Sequence, residues 1–349
     1  MNKMELANKF VNRLPNGVIE IDESIETTIV SQKVKKVPIF DVSVCAFFGQ
    51  GQKKSGVEEG PYHLCELVNS AFGIKKYGLV APNVKRIIHG DDTNSQDLDI
   101  FINGAFKHGL SEFAKSVDSD ESVVASNDSN NSNNINGWKR DYQILYEYLC
   151  TKDKYLLLGG DHSVGNPSVF ASIFKTSDVN NLYVIWIDAH ADANTLEASV
   201  SKNIHGTPLS SVIKWEEPWF PIKEYLPTTN LLYFGIRDLD EFEKVKIAEH
   251  NIFNTRNLQE MLAKLDHVIK NNSKARFHVS FDVDALDSSI MTATGCVVDE
   301  GLFPHEVASV INFVKSQLIA FDLVEFNPSL GDKDKSFESV KAIIDEVAK

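Results

Sequence analysis

The chain has 349 residues, 43% hydrophobic and 24% charged, the balance of an ordinary globular protein with room for one large α/β domain. A formal net charge of −14 argues against nucleic acid or any other polyanion as partner and favours a cationic substrate. The four cysteines, Cys45, Cys65, Cys150 and Cys296, are scattered without a CxxC pair, which excludes a thiolate metal motif and fits reduced thiols in a cytoplasmic protein.

In chain order, residues 1–36 are polar and read as an extension, and residues 37–349 read as a single domain. The opening MNKMELANKFVNRLPNG lacks the apolar centre of a secretory signal. Lys3, Lys9 and Arg13 leave a mitochondrial reading open, against which Glu5 speaks. No run approaches a membrane span, so no membrane partner is expected.

The predicted strands are VPIFDVSVCAFF, KYLLLG, NLYVIWID, NLLYFGI, ARFHVSFDV and LIAFDLVEF. Between them the pattern predicts helices such as Pro167–Thr176, Glu241–His250, Asn257–Ile269 and His305–Lys315. Strands apolar on both faces and interleaved with helices imply a parallel sheet covered on both sides. Ser116–Asn136 is rich in Ser, Asn and Asp without helical period, and is expected to be a disordered surface insertion.

Three of these apolar runs end in polar clusters. YLLL runs into GGDH with His162; IDAHAD supplies Asp188, His190 and Asp192; SFDVDALD supplies Asp282 and Asp284. In an open parallel sheet such strand ends share one rim, where ligands bind. A lone DxHxD reads equally well as a solvated turn, and a lone histidine beside Gly-Gly as a turn residue. Together those bland readings leave four carboxylates and two imidazoles with nothing to balance their charge. Two divalent cations supply the balance. Carboxylate and imidazole ligands without thiolate suit manganese best, ahead of iron, cobalt or zinc. Metal binding lowers the pKa of water from 15.7 to about 7, so the pattern points to a two-metal hydrolase.

From about Asp41 onward the chain resembles the arginases of the ureohydrolase family. The shared segments are GQGQKKSGVEEGP, LGGDHS, WIDAHADANT, SKNIHGTP, GIRDLDEFE, SFDVDALD, TATG and DLVEFNPSLG. The resemblance implies a three-layer α/β/α sandwich with an eight-stranded parallel sheet, two Mn²⁺ per chain, and hydrolysis of L-arginine to L-ornithine and urea. It assigns one ion to His162, Asp188, Asp192 and Asp282, and the other to His190, Asp188, Asp282 and Asp284. Asp192 would orient a bridging hydroxide, Glu325 would hold the guanidinium, and His205 would relay protons to the leaving amine. Asn194, Ser201 and Asn203 match positions that bind the α-carboxylate, while Asp240 and Glu243 match those facing the α-amino group. A homo-oligomer, a trimer, is implied as well.

Four features depart from the family pattern. Cys296 stands beside the guanidinium pocket where arginases usually carry threonine, and His305 stands where they usually carry arginine near the trimer surface. The Ser/Asn-rich insertion and the short segment after Gly331 also differ. Three other readings stay open: an agmatinase or guanidinobutyrase, a non-catalytic regulator that binds arginine or ornithine, and a two-metal phosphohydrolase. For the last, no Arg or Lys cluster beside the acids is evident to receive phosphate.

Overall fold

The computed structural model describes residues 12–13, 19–20, 39–49, 51–80, 88–91 and 135–349. The segment 116–134, where most of the predicted insertion falls, lies outside the described residues. The chain divides into two units, 1–37 and 38–349. In the first, Asn12–Arg13 pairs antiparallel with Ile19–Glu20. In the second, nine strands among the described residues form one sheet: β1 (Val42–Ala46), β2 (Lys76–Val80), β3 (Ile88–Asp91), β4 (Tyr155–Gly159), β5 (Leu182–Ile187), β6 (Leu231–Phe234), β7 (Phe253–Thr255), β8 (Arg276–Asp282) and β9 (Leu318–Val324). Their spatial order is β3-β2-β1-β4-β9-β8-β5-β6-β7. Seven parallel ladders join eight of them, and β3 adds antiparallel to β2 at one edge.

All six predicted strands are present, and β1 is shorter than its apolar run. The three that were not predicted, β2, β3 and β7, lie at or next to the sheet edges, where burial leaves a weaker imprint on sequence.

Helices α1 (Gly60–Phe72), α2 (Ile135–Cys150), α3 (Gly165–Lys175), α4 (Pro208–Val212), α5 (Glu241–Glu249), α6 (Leu258–Asn271), α7 (Pro304–Val314) and α8 (Lys333–Val347) cover the sheet. The core is split into two layers by it. One packs Leu156, Ile185, Phe277, Val279 and Phe281 under α1, α6, α7 and α8; the other packs Tyr155, Leu157, Val184 and Trp186 under α2, α3 and α4. Three of the helices show the reason for their placement. In α6 the Asn257 side chain caps the N-terminus by accepting from the Glu260 amide, and Met261, Leu265 and Val268 recur on one buried face. In α1, Pro61 fits the first turn and Gly73, at φ 67°, ends the helix in the left-handed region. Nearly all of α3 is buried because it lies between the sheet and the helices α2 and α4, and even its Ser168 and Ser172 are buried.

Candidate active site

The carboxyl ends of β4, β5, β8 and β9 deliver their side chains to a single point. After β4 the chain makes a 3-10 turn, His162–Val164, capped by Asp161, whose carboxylate accepts from the Ser163 amide. That turn points His162 Nδ1 at three carboxylate oxygens: Asp188 Oδ2 at 2.9 Å, Asp192 Oδ2 at 3.0 Å and Asp282 Oδ2 at 3.2 Å. His190 Nδ1 lies 3.1 Å from Asp284 Oδ2 and 3.5 Å from Asp188 Oδ1. Two ligand groups with cation-sized spacing result, His162–Asp188–Asp192 and Asp188–His190–Asp284, which share Asp188. Asp282 adjoins the first through Oδ2, while its Oδ1 accepts from the Asp284 amide at 2.8 Å.

The electrostatics match a cation-shaped site. Burial, with the charges of Asp284 and Asp188, pushes the Asp282 carboxyl well above its usual range. Burial likewise lifts Asp284 to about 6, and burial with the Asp188 charge raises Asp192. Burial opposes a proton on His162 and on His190, yet the surrounding carboxylates raise both. Acids that resist ionising together, and imidazoles held in the charged form by them, are the signature of positive charge that a metal would supply.

Beside this cluster, Glu325 is anchored on both oxygens. Oε1 accepts from the His162 amide at 2.9 Å and lies 3.1 Å from His205 Nδ1, and Oε2 accepts from Gln52 Nε2 at 2.7 Å. Burial would lower the His205 pKa, but Glu325, with Asp192 and Asp161 behind it, raises it to about 9. Asp192 and Glu325 both hold left-handed backbone, at φ 50° and 64°. Such conformations cost about 1–3 kcal/mol in non-glycine residues and persist where the surroundings over-determine them.

The cluster forms the floor of a cleft of about 700 Å³, counted to its open mouth. Asn194, Ser199, Ser201, His205, Asp240, Glu243 and Cys296 line it further out. Asn194 Nδ2 donates to Asp240 Oδ2 at 2.5 Å, and its buried Oδ1 has no hydrogen-bond partner among the described residues. Glu243 is committed to the scaffold: its oxygens accept from the Ala193 and Asp240 amides, and burial raises its pKa to about 7. Asn203 is not among the lining residues; its amide donates to Ser201 Oγ at 3.2 Å.

Several residues of the site had no assigned role in the sequence. Trp186 lies flat on His162, ring centroids 4.0 Å apart and 7° from parallel, and donates from Nε1 to Asp188 Oδ2 at 2.9 Å. Gly165 makes that stack possible, since a Cβ there would fall 2.7 Å from the indole. Asp161 accepts from the Gly51 amide at 2.6 Å, which ties the loop bearing Gln52 to the turn bearing His162. Asp238 lies 3.7 Å from His190 Nε2. Arg237 donates to the carbonyls of Asp284 and Val298, so its guanidinium braces the rim and is spent on backbone. The GQGQ and GIRD segments were the available signals for Gln52, Arg237 and Asp238.

A parallel-sheet fold with a carboxylate–imidazole centre at its carboxyl rim defines a metal-dependent hydrolase class. The family model described as Arginase family matches residues 41–348. Arginase-2, mitochondrial, of Rattus norvegicus is 30% identical over 320 residues, covering 87% of this chain and 82% of its own. The chain belongs to the arginase family and is a hydrolase acting on guanidino C–N bonds. The fold is shared with the Entamoeba histolytica arginase crystallised with L-ornithine (TM-score 0.65, 22% identity, 88% of this chain and 98% of that one). It is also shared with the proclavaminate amidino hydrolase of Streptomyces clavuligerus (TM-score 0.55, 20% identity, 90% and 93%).

Proposed function

We propose that the chain hydrolyses L-arginine to L-ornithine and urea with two Mn²⁺ ions. The observation that carries this reading is the polarity of the cleft. Its floor holds the ligand cluster with Glu325 beside it, and its outer wall offers hydroxyl and amide groups (Ser199, Ser201, Asn194) together with the carboxylate of Asp240. A substrate with a guanidinium at one end and an amino-acid group at the other finds a complementary partner at each.

His162, Asp188, Asp192 and Asp282 would hold one ion, and Asp188, His190, Asp282 and Asp284 the other. When bound, the pair makes water a nucleophile at neutral pH. Glu325 aligns the planar guanidinium over that nucleophile and offsets its charge as the carbon becomes tetrahedral. Glu325 already meets His205 Nδ1, so an incoming guanidinium competes with the imidazole for the carboxylate and frees it to pass a proton to the leaving amine. Asp192 orients the attacking oxygen through its buried carboxylate.

A second reading, a hydrolase of agmatine or guanidinobutyrate, draws on two observations: Cys296 lines the cleft, and Asn203 does not. Urea release from Mn²⁺-loaded protein given arginine, agmatine or guanidinobutyrate tests both. Arginine as the poorest of the three substrates would replace the first reading with the second.

A cytoplasmic location is supported by four free cysteines in a chain without a disulfide framework. A mitochondrial one has the N-terminal Lys3, Lys9 and Arg13 in its favour. A trimer is supported by the family pattern, and light scattering of the full chain tests it.

A further inference from the structure

Behind the metal ligands lies a second polar cluster that the reaction itself does not use. Strand β8 turns Phe277, Val279 and Phe281 to one hydrophobic layer, which leaves His278 and Ser280 facing the other. Ser280 pairs directly with Asp322 of β9 in the parallel register. His278, Ser280 and Asp322 are fully buried, and α3 adds Ser168 and Ser172 above them. Polar groups in such a place are costly unless every one is satisfied.

They are satisfied in a way that sets the direction of each bond. Asp322 Oδ1 accepts from Ser168 Oγ at 2.6 Å, and Oδ2 accepts from His278 Nε2 at 2.8 Å and from Ser280 Oγ at 3.3 Å. Ser172 Oγ meets the far nitrogen of His278 at 2.8 Å. A carboxylate only accepts, so the single Ser280 proton points to Asp322. The Ser280 oxygen is then an acceptor for its other neighbour, His162 Nε2, at 2.9 Å. With one proton fixed on Nε2, Nδ1 is the nitrogen that faces Asp188, Asp192 and Asp282, and its lone pair is the one a cation would take in place of a proton.

We propose that the buried Asp322–His278 pair positions the metal ligand His162, acting through the Ser280 hydroxyl to keep Nδ1 free for a cation. Asp322 touches no ligand itself. Among the described residues its one ion pair is with His278, so this histidine and the two serines hold the carboxylate in place. An amide at this position keeps the volume but offers a donor to Ser280. Ser280 is then released to donate to Nε2, which leaves the His162 proton on the nitrogen that must bind metal. The inference rests on the two-metal reading and extends it to residues outside the ligand set.

The test is Mn²⁺ binding by the full chain, with free ion measured by electron paramagnetic resonance at equilibrium. Wild type binds two ions. Asp322→Asn weakens one of them by about 10–100-fold, the usual cost of losing an outer partner of a metal-bound histidine, and spares the other. Ser280→Ala produces the same loss, and adding Asp322→Asn to it changes little further, because both act on one path. Two equally tight ions in Asp322→Asn, or losses that simply add in the double variant, overturn the proposal. Fewer than two ions in wild type would instead sink the two-metal reading. If Asp322→Asn does not fold, histidine-labelled wild type loaded with ¹¹³Cd²⁺ decides by nitrogen NMR. Cadmium coupling at His162 Nδ1 with a proton on Nε2 supports the proposal, and the reverse arrangement ends it.

Discussion

At the floor of the cleft, His162, Asp188, Asp192, Asp282 and Glu325 are all buried and come from the ends of four strands, whereas at its mouth Ser199 and Ser201 belong to one loop and Ser201 is exposed. The floor is held from many directions at once: by Trp186 against His162 and Asp188, by Gln52 on Glu325, and by the Asp161 turn. The mouth is held mainly by short-range contacts, such as the Asn203 amide on Ser201 and the Lys202 amide on Ser199. The difference separates two properties of the enzyme. On the proposed reading, bond-breaking chemistry belongs to the part that the sheet over-determines, and substrate choice to the loop residues of the mouth. Proteins named for arginine and for proclavaminate chemistry share this fold.

The comparison is most easily broken at Asp282. Asp282→Asn is expected to lose both Mn²⁺ ions and more than about 10³-fold in kcat, since the ions supply several kcal/mol of the barrier reduction. Elemental analysis showing two tightly held ions in this variant would mean that Asp282 is dispensable and that the floor is not over-determined.

Glu325→Gln keeps the shape and removes the charge that meets the guanidinium. A loss on the order of 3 kcal/mol, about 10²-fold or more in rate, is expected on every guanidino substrate alike. Near-normal urea release would remove Glu325 from the reacting centre.

At the mouth the expected effects are smaller and selective. Asp240→Asn should lower kcat/KM for arginine by about 30-fold, the worth of a charge-assisted hydrogen bond of roughly 2 kcal/mol, and leave guanidinobutyrate, which lacks the amino group, nearly unchanged. Equal losses on both compounds would show that Asp240 acts through the scaffold, by way of Asn194, rather than on the substrate.

The smallest effect is expected at Cys296. A threonine there offers a stronger hydrogen-bonding hydroxyl, worth about 1 kcal/mol or fivefold in KM for arginine. If the position is tuned to another guanidino compound, the variant gains on arginine and loses on that compound. Unchanged kinetics on arginine, agmatine and guanidinobutyrate would reduce the departure to packing.

Much of the floor was legible in the linear chain because a strand leaves a short-range signature. An apolar run followed by acids at alternate positions, as in Ile187–Asp192 and Ser280–Asp287, marks a strand end whose side chains reach one rim, and the structure brings all six predicted ligands there. The central strands were legible for the same reason, since burial on both faces writes a continuous apolar run. The edge strand β7, only three residues long and with Asn254 exposed, has no such signature. Tertiary structure alone decided which residues stand behind the ligands. Gln52 meets Glu325 across 273 positions, and Ser280 meets His162 across 118. His278, Ser280 and Asp322 read in sequence as polar interruptions of apolar strands. Only the register of β8 on β9 and the packing of α3 above them turn those interruptions into one hydrogen-bonded path, because a hydrogen bond depends on separations in space that chain order does not encode.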